Sequence, residues 1–247
     1  MGTNAEAARD VEPAPSRVGL WEDFVDIFYT PSSVFARRAE GKFGMPLLIL
    51  IVAATVLFFL TKNAMQPIMD AEFARQSAAM LKKNPNMTAE QIAGGRGFFE
   101  SFGFLFVALG TTVAVFLTGL TIWVIGKLFD ARESLSAAIM IATYAEVPRL
   151  VQALTNAAQG LLMSPDKLTS MNSVSFSLAR FLDPDTASPV MIGLASRVDL
   201  FTIWITVLIA IGLHVLGKIP KQQAYIAAAI VWLLGAVPAI LGALRNG

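Results

Sequence analysis

The apolar residues of this chain are gathered into long blocks instead of recurring at a helical or strand period. Five such blocks occur, at residues 43–62, 101–125, 137–163, 200–216 and 224–244. A hydrocarbon core about 30 Å thick is spanned by about 20 residues of apolar helix. We therefore predict an all-α, multi-pass membrane protein, with five transmembrane helices, an N-terminal interfacial helix and a helical outer loop.

The charge composition agrees with this class and excludes others. Only 15% of the residues are charged, whereas soluble domains contain about 25%. The net charge of +1 supplies no basic surface for nucleic acid, so no nucleic-acid partner is expected. Cysteine is absent, which excludes disulfides, thiolate metal sites and a cysteine nucleophile.

Three regions are predicted along the chain. Residues 1–19 are polar, contain two prolines and read as a disordered tail. Residues 20–42 form juxtamembrane amphipathic helices divided near Pro31, and residues 43–247 form the membrane domain. In the first of these helices the acids Glu22, Asp23 and Asp26 lie mostly opposite the apolar face. The helix either lies on the membrane surface or packs on the body of the protein.

The connections between the blocks predict the orientation. The short loops at 126–136 and 217–223 are basic and belong in the cytoplasm by the positive-inside rule. The longer connections, 62–100 and 164–199, then lie outside. This arrangement places the N-terminus in the cytoplasm and the C-terminus outside.

The first outer connection is predicted to form a helix–turn–helix. Helix-forming residues extend to Lys83, and an Asn-Pro-Asn sequence then ends that helix. Thr88 and Gln91 have the spacing of a capping box, which opens a second helix. The glycine-rich residues 94–97 are expected to end it.

The third block contains a polar cluster formed by Tyr144, Glu146, Pro148 and Arg149. Glu146 lies about 13 Å into the block if the block is helical. An ionised side chain at that depth costs about 3 kcal/mol, and Arg149 is close enough on the same face to pair with it. Pro148 cannot donate to the Tyr144 carbonyl, which is expected to be free. The cluster is either a site for an ion, a proton or a headgroup, or a neutralised pair that holds the helix to its neighbours.

Two further residues carry weaker signals. Asp199 opens the fourth block, where an acid suits a helix N-terminus. Alternatively, it pairs with a charge on another helix. His214 is the only histidine and has no partners at ligand spacing, so it is predicted to be an interfacial anchor. We predict no catalytic residues, no metal site and no cofactor, because no catalytic motif is present.

The order and spacing of short motifs resemble the Yip1 family, in its prokaryotic branch, from about residue 20 to residue 244. The motifs are FYTPSSVF at 28–35, GKLF at 126–129, YAEVP at 144–148 and DLFTIW at 199–204. The resemblance implies a five-helix membrane domain with a cytoplasmic N-terminus. Eukaryotic members act in Golgi and endoplasmic reticulum trafficking and bind Rab-type GTPases. Some prokaryotic members accompany ABC-type export systems, and the family provides no catalytic residues to carry over.

These observations predict a non-enzymatic scaffold or accessory protein of a transport or trafficking assembly in the bacterial cytoplasmic (inner) membrane. The expected partners are the lipid bilayer and other membrane proteins, an ABC-type export system among them, with a homo-oligomer left open. The alternative is a small transporter or channel-like carrier of ions, protons or lipid that uses Glu146, Arg149 and Tyr144.

Overall fold

The protein is all-helical in the part of the chain that the computed structural model describes, residues 19–237 and 241–242. This part contains no β-strand, and three single-turn 3-10 helices lie between 165 and 181. The all-α prediction is therefore confirmed there. The α-helices are α1 (Leu20–Asp26), α2 (Pro31–Arg37), α3 (Gly44–Lys83), α4 (Ala89–Lys127), α5 (Leu135–Ala145), α6 (Pro148–Leu162), α7 (Pro189–Arg197), α8 (Leu200–Gly217) and α9 (Lys221–Leu234).

Helices α3 and α4 are much longer than the predicted spans. They contain 40 and 39 residues, so each is about 60 Å long at 1.5 Å per residue. The two helices pack against each other, and their apolar segments account for about half of that length. The remaining halves form what we call the projecting hairpin, residues 62–100, which extends beyond the apolar segments.

The predicted helix–turn–helix is confirmed at its turn, but the prediction that glycine-rich residues 94–97 end the second helix was wrong. Helix α3 ends at Lys83, and the Gln91 N–H donates to Thr88 Oγ1 at 3.2 Å in the predicted capping box. However, α4 continues through residues 94–97. Arg96 contacts the Asp70 carboxylate at 2.6 Å and lies over the Phe73 ring. These contacts with α3 offset the helix cost of about 1 kcal/mol for each glycine.

The third block does not form a single helix, which corrects the predicted span 137–163. It is divided into α5 and α6 at Glu146 and Val147, because the Pro148 ring clashes with the carbonyl one turn earlier. At 11 and 15 residues, the two helices are about 16 and 22 Å long. The Tyr144 carbonyl that was expected to be free accepts from the Val147 N–H at 3.2 Å, so that prediction was wrong.

Three helices, not five, are long and apolar enough to cross a membrane in the described part of the chain. They are α3, α4 and α8, with the span in α4 beginning at Glu90. Helix α9 has 14 residues, about 21 Å, and the predicted span 224–244 runs on through residues 238–240 and 243–244, which lie outside the described residues. Within the described residues, the prediction of five spanning helices is therefore corrected to three.

Helix α5 forms the centre of the fold. Its residues from Ala137 to Ala145 are all buried, because α4, α8 and α3 all pack against this almost entirely apolar helix. Gly119 lets α4 come close to the α5 backbone, since a Cβ there would lie 2.8 Å from Ile139 Cα. Helix α9 packs on α8 and α4.

Helices α1 and α2 pack against the rest of the protein, which was one of the two predicted positions for the N-terminal helix; the other was the membrane surface. Ile27, Val34 and Phe35 are fully buried, and the Phe28 ring packs edge-on against Trp204 of α8 at 5.2 Å. Trp21 remains exposed on α1. A membrane-surface position for this outer face stays a prediction, and the predicted disordered tail lies outside the described residues except for Gly19.

Candidate functional site

A buried carboxylate joins the two N-terminal helices to the centre of the fold. Asp23 Oδ1 accepts from Arg37 Nη2 at 2.7 Å, and its Oδ2 accepts from Arg38 Nε at 2.5 Å. Tyr144 Oη also donates to Oδ2, at 3.2 Å. Asp23 is fully buried, although it belongs to the acids that the sequence analysis placed mostly opposite the apolar face of this helix.

The reversal of the chain at Pro31 explains why Asp23 is buried. Helix α2 returns along α1, which brings Arg37 and Arg38 back to a residue 14 to 15 positions earlier. The sequence does show two consecutive arginines, Arg37 and Arg38, one short helix after Asp23. This spacing predicts a contact only if the two helices form a hairpin, which the sequence alone does not show.

The predicted polar cluster is divided between two environments. The Tyr144 hydroxyl faces α1, where its ring also packs on Phe24 at 5.6 Å. Glu146 lies at the break between α5 and α6 and accepts from Arg149 Nε. Tyr144 is therefore separate from the charge pair, and Pro148 contributes by starting α6 and creating the break.

The Glu146–Arg149 pair lies on the wall of a cleft. Glu146 is 8% exposed, whereas the Arg149 side chain is 46% exposed. The cleft has a volume of about 370 Å³ and lies between α3, α4 and α6. Its lining residues are mostly apolar: Leu50, Ala54, Leu57, Phe58, Thr61, Val107, Gly110, Thr111, Ala114, Glu146, Arg149, Leu150 and Ala153.

Asp199 is the N-cap of α8, as a helix-terminal acid should be. Its Oδ1 accepts from the Phe201 N–H at 3.0 Å and the Thr202 N–H at 3.1 Å. Gln152 of α6 also donates to Oδ1, at 3.3 Å, and accepts from Arg149 Nη1 at 3.4 Å. Gln152 was missed by the sequence analysis, although it lies one turn after Arg149 on the same face.

Three of the five predicted site residues are thus connected through one amide. Glu146, Arg149 and Asp199 are joined by Gln152, while Tyr144 faces the N-terminal helices. This connected group presents an acceptor and a donor of opposite charge to an apolar cleft, and it contains no nucleophile paired with a base. Its functional role stays a prediction. His214 Nδ1 lies 2.7 Å from the Ile219 carbonyl, at the turn between α8 and α9.

The motifs at 28–35, 126–129, 144–148 and 199–204 all lie in the range that one family model matches. The Yip1 domain model matches residues 25–242, which is nearly the whole chain and includes all five predicted site residues. The chain belongs to the Yip1 family. Comparison with curated proteins gives no match, and comparison with solved structures gives none either.

This Yip1-family protein contains a second buried carboxylate that the sequence analysis did not identify. Glu133 lies in the loop between α4 and α5, outside the predicted spans, and is almost fully buried. Neither carboxylate oxygen has a hydrogen-bond partner among the described residues. Gly126 and Gly217 form a cradle for it, since a Cβ on Gly217 would lie 2.8 Å from Oε2 and one on Gly126 would clash with Oε1.

Burial raises the pKa of Glu133 above its ordinary value of 4.5. Its own backbone N–H and the Lys127 ammonium oppose this shift. That ammonium is held by two backbone carbonyls, Ala131 O at 2.7 Å and Glu133 O at 2.9 Å. The cradle therefore favours the neutral carboxyl group.

Glu133→Gln is expected to reduce the pH dependence of stability. The folded-state pKa is raised, so the stabilising contribution is fully present below about pH 4.5 and is lost as pH rises through the folded-state pKa. At pH 8 the variant should melt at a higher temperature than the native protein, because it buries no charge. Melting in detergent at pH 4.5 and pH 8 measures this, with Glu40→Gln as an exposed control. An identical pH profile for the native protein and Glu133→Gln would contradict it.

Proposed function

We propose that this Yip1-family protein is a non-enzymatic scaffold or accessory protein of a transport or trafficking assembly in the bacterial cytoplasmic membrane. The N-terminus faces the cytoplasm in this proposal, which rests on the basic loops at 126–136 and 217–223. The observation that carries the proposal is the projecting hairpin. It places two packed helices about 30 Å beyond the apolar segments.

The base of the projecting hairpin is held by the second outer loop, residues 164–199. Arg75 Nε contacts Asp185 at 2.9 Å, and its Nη2 donates to the Thr169 carbonyl at 2.8 Å. The Met171 N–H donates to Glu72 Oε1 at 3.1 Å. A hairpin with contacts of this kind at its base is suited to presenting a surface in a defined orientation.

The distal part of the hairpin offers apolar side chains to a partner. Met80 and Leu81 are both exposed there, and methionine adapts well to varied partner surfaces. The apolar segments of α3 and α4 also face mostly outward, whereas more than half of that of α8 is buried. These outward faces contact lipid or another membrane protein.

Site-specific crosslinking tests the scaffold proposal. A photoreactive amino acid at Met80 should crosslink to one membrane protein in cells, whereas the same label at the exposed Leu128, in the loop after α4, should not crosslink to that protein. The double variant Met80→Ser/Leu81→Ser should abolish recovery of that partner without changing the melting temperature. Lipid adducts alone at Met80, or recovery unaffected by the double variant, would overturn the proposal.

A second candidate function, a small carrier, is favoured by the cleft that Glu146 and Arg149 line. Under this candidate Glu146→Gln abolishes flux of ions, protons or lipid in proteoliposomes and leaves the fold intact. Under the scaffold proposal it lowers stability by about 1 kcal/mol or less, because the half-exposed Arg149 is still partly solvated. Flux and melting temperature are measured together, with Glu40→Gln as the control. Unchanged flux would exclude the carrier.

A further inference from the structure

The cleft between α3, α4 and α6 has one polar wall and two apolar walls. Leu57 and Phe58 of α3 and Val107 of α4 supply hydrocarbon surface. Gly110 and Ala114 of α4 are exposed, so the cleft is open on the α4 side of the bundle. An occupant therefore has to combine a polar group with hydrocarbon.

The charge pair keeps unused hydrogen-bonding capacity towards the cleft. Arg149 uses Nε for Glu146 and Nη1 for Gln152, and its Nη2 has no partner among residues 19–237. Glu146 accepts through Oε2, and its Oε1 likewise has no partner in that range. Next to hydrocarbon, an unsatisfied donor or acceptor is costly wherever water does not solvate it. The wall thus favours a ligand that supplies both a cation and an anion.

Net charge narrows the class of ligand. The Glu146 carboxylate and the Arg149 guanidinium cancel, and so do their charged neighbours Arg197 and Asp199. Neither a simple anion nor a simple cation therefore gains from the group as a whole. A zwitterion matches both groups. Guanidinium binds phosphate oxygens well, and a primary ammonium can donate hydrogen bonds to a carboxylate, whereas a quaternary ammonium cannot.

We infer that this cleft binds the headgroup of a zwitterionic phospholipid with a primary ammonium, of the phosphatidylethanolamine type. The phosphate lies against Arg149 and the ammonium against Glu146, while the acyl chains follow the walls at Leu57, Phe58 and Val107. Free phosphoethanolamine has the same charges but leaves these apolar walls uncovered, so the lipid is the ligand. The inference does not depend on the scaffold proposal, and it limits the cargo of the carrier candidate to lipid.

Photolabelling of the full chain in nanodiscs tests this inference. The probe is phosphatidylethanolamine with a diazirine in one acyl chain, present as a trace in phosphatidylglycerol. Peptides from α3, α4 and α6 that line the cleft should carry the label. Unlabelled phosphatidylethanolamine should compete about tenfold better than phosphatidylcholine, the difference expected from losing one charged hydrogen bond. Diacylglycerol and free phosphoethanolamine should compete poorly.

Variants distinguish recognition of the headgroup by the charge pair from nonspecific occupation of the apolar cleft by a lipid chain. Glu146→Gln should remove the preference for ethanolamine over choline, and Arg149→Gln should weaken both lipids. Gly110→Leu should reduce labelling without altering the pair, because a Cβ there meets nothing within 4 Å and the side chain enters the cleft. Glu40→Gln is the control. Because Gly110→Leu leaves both charges in place, it keeps the test decisive if Glu146→Gln or Arg149→Gln does not fold.

Two results would overturn the inference. One is equal competition by phosphatidylethanolamine, phosphatidylcholine and diacylglycerol. The other is cleft labelling that all three cleft variants leave unchanged. If no membrane protein crosslinks at Met80, the scaffold proposal is refuted, while this inference about the lipid site is unaffected. If the lipid probe labels the cleft but the protein moves no lipid across proteoliposome membranes, the lipid site stands and the carrier candidate is excluded.

Discussion

Asp23→Ala is expected to lower the free energy of unfolding by about 3–5 kcal/mol, the range for breaking a buried ion pair from one side. The change removes the carboxylate shared by Arg37 and Arg38. It also leaves the fully buried Tyr144 hydroxyl without its acceptor. These contacts join α1 to α2 and to Tyr144 of α5. The two N-terminal helices should therefore detach before the rest of the bundle unfolds.

Unfolding in mixed micelles with increasing SDS measures the loss, and Asp26→Ala provides the matched control. Asp26 lies on the same helix and is 35% exposed, and its only ion pair within residues 19–237 is with Arg37. Its replacement should therefore cost under about 1 kcal/mol. The native chain has no cysteine, so the buried Ile27→Cys can report detachment through thiol labelling. Equal losses for Asp23→Ala and Asp26→Ala would show that burial of Asp23 contributes nothing.

Gly119→Val is expected to destabilise the protein by about 3 kcal/mol, the upper range for overpacking. A Cβ at this position would lie 2.8 Å from Ile139 Cα and 3.1 Å from Ile139 N. These are backbone atoms, so α4 and α5 have to separate along their shared interface. The loss should exceed any gain in helix propensity on replacing glycine, which is under 1 kcal/mol.

Gly110→Val is the control for this steric argument, since it lies in the same apolar segment of α4. A Cβ at Gly110 meets nothing within 4 Å, and the side chain faces the cleft. Unfolding in mixed micelles should show little loss for Gly110→Val and a large loss for Gly119→Val. Similar losses at both positions would mean that valine in the helix, and not the contact with Ile139, causes the effect.

Several features followed from short stretches of sequence because their physical cause is local. Apolar blocks predicted helices and a membrane environment. The Thr88–Gln91 capping box and the Glu146–Arg149 contact each join residues three apart, a separation at which helical geometry alone brings side chains together. The break at Pro148 was also a local signal, because proline removes a donor and clashes one turn back. The prediction nevertheless treated residues 137–163 as one helix, whereas they form α5 and α6.

The remaining features depended on which distant segments meet. Asp23 lies next to Tyr144, 121 residues later, and Glu133 lies between Gly126 and Gly217. The continuation of α4 through residues 94–97 required α3 as its neighbour. The sequence by itself determined that the chain is helical, that several of its segments are apolar enough for a membrane, and that it contains one local charge pair. Only the tertiary structure decided which charges are buried and where the cleft opens, because burial is a property of packed neighbours and not of a residue's own type.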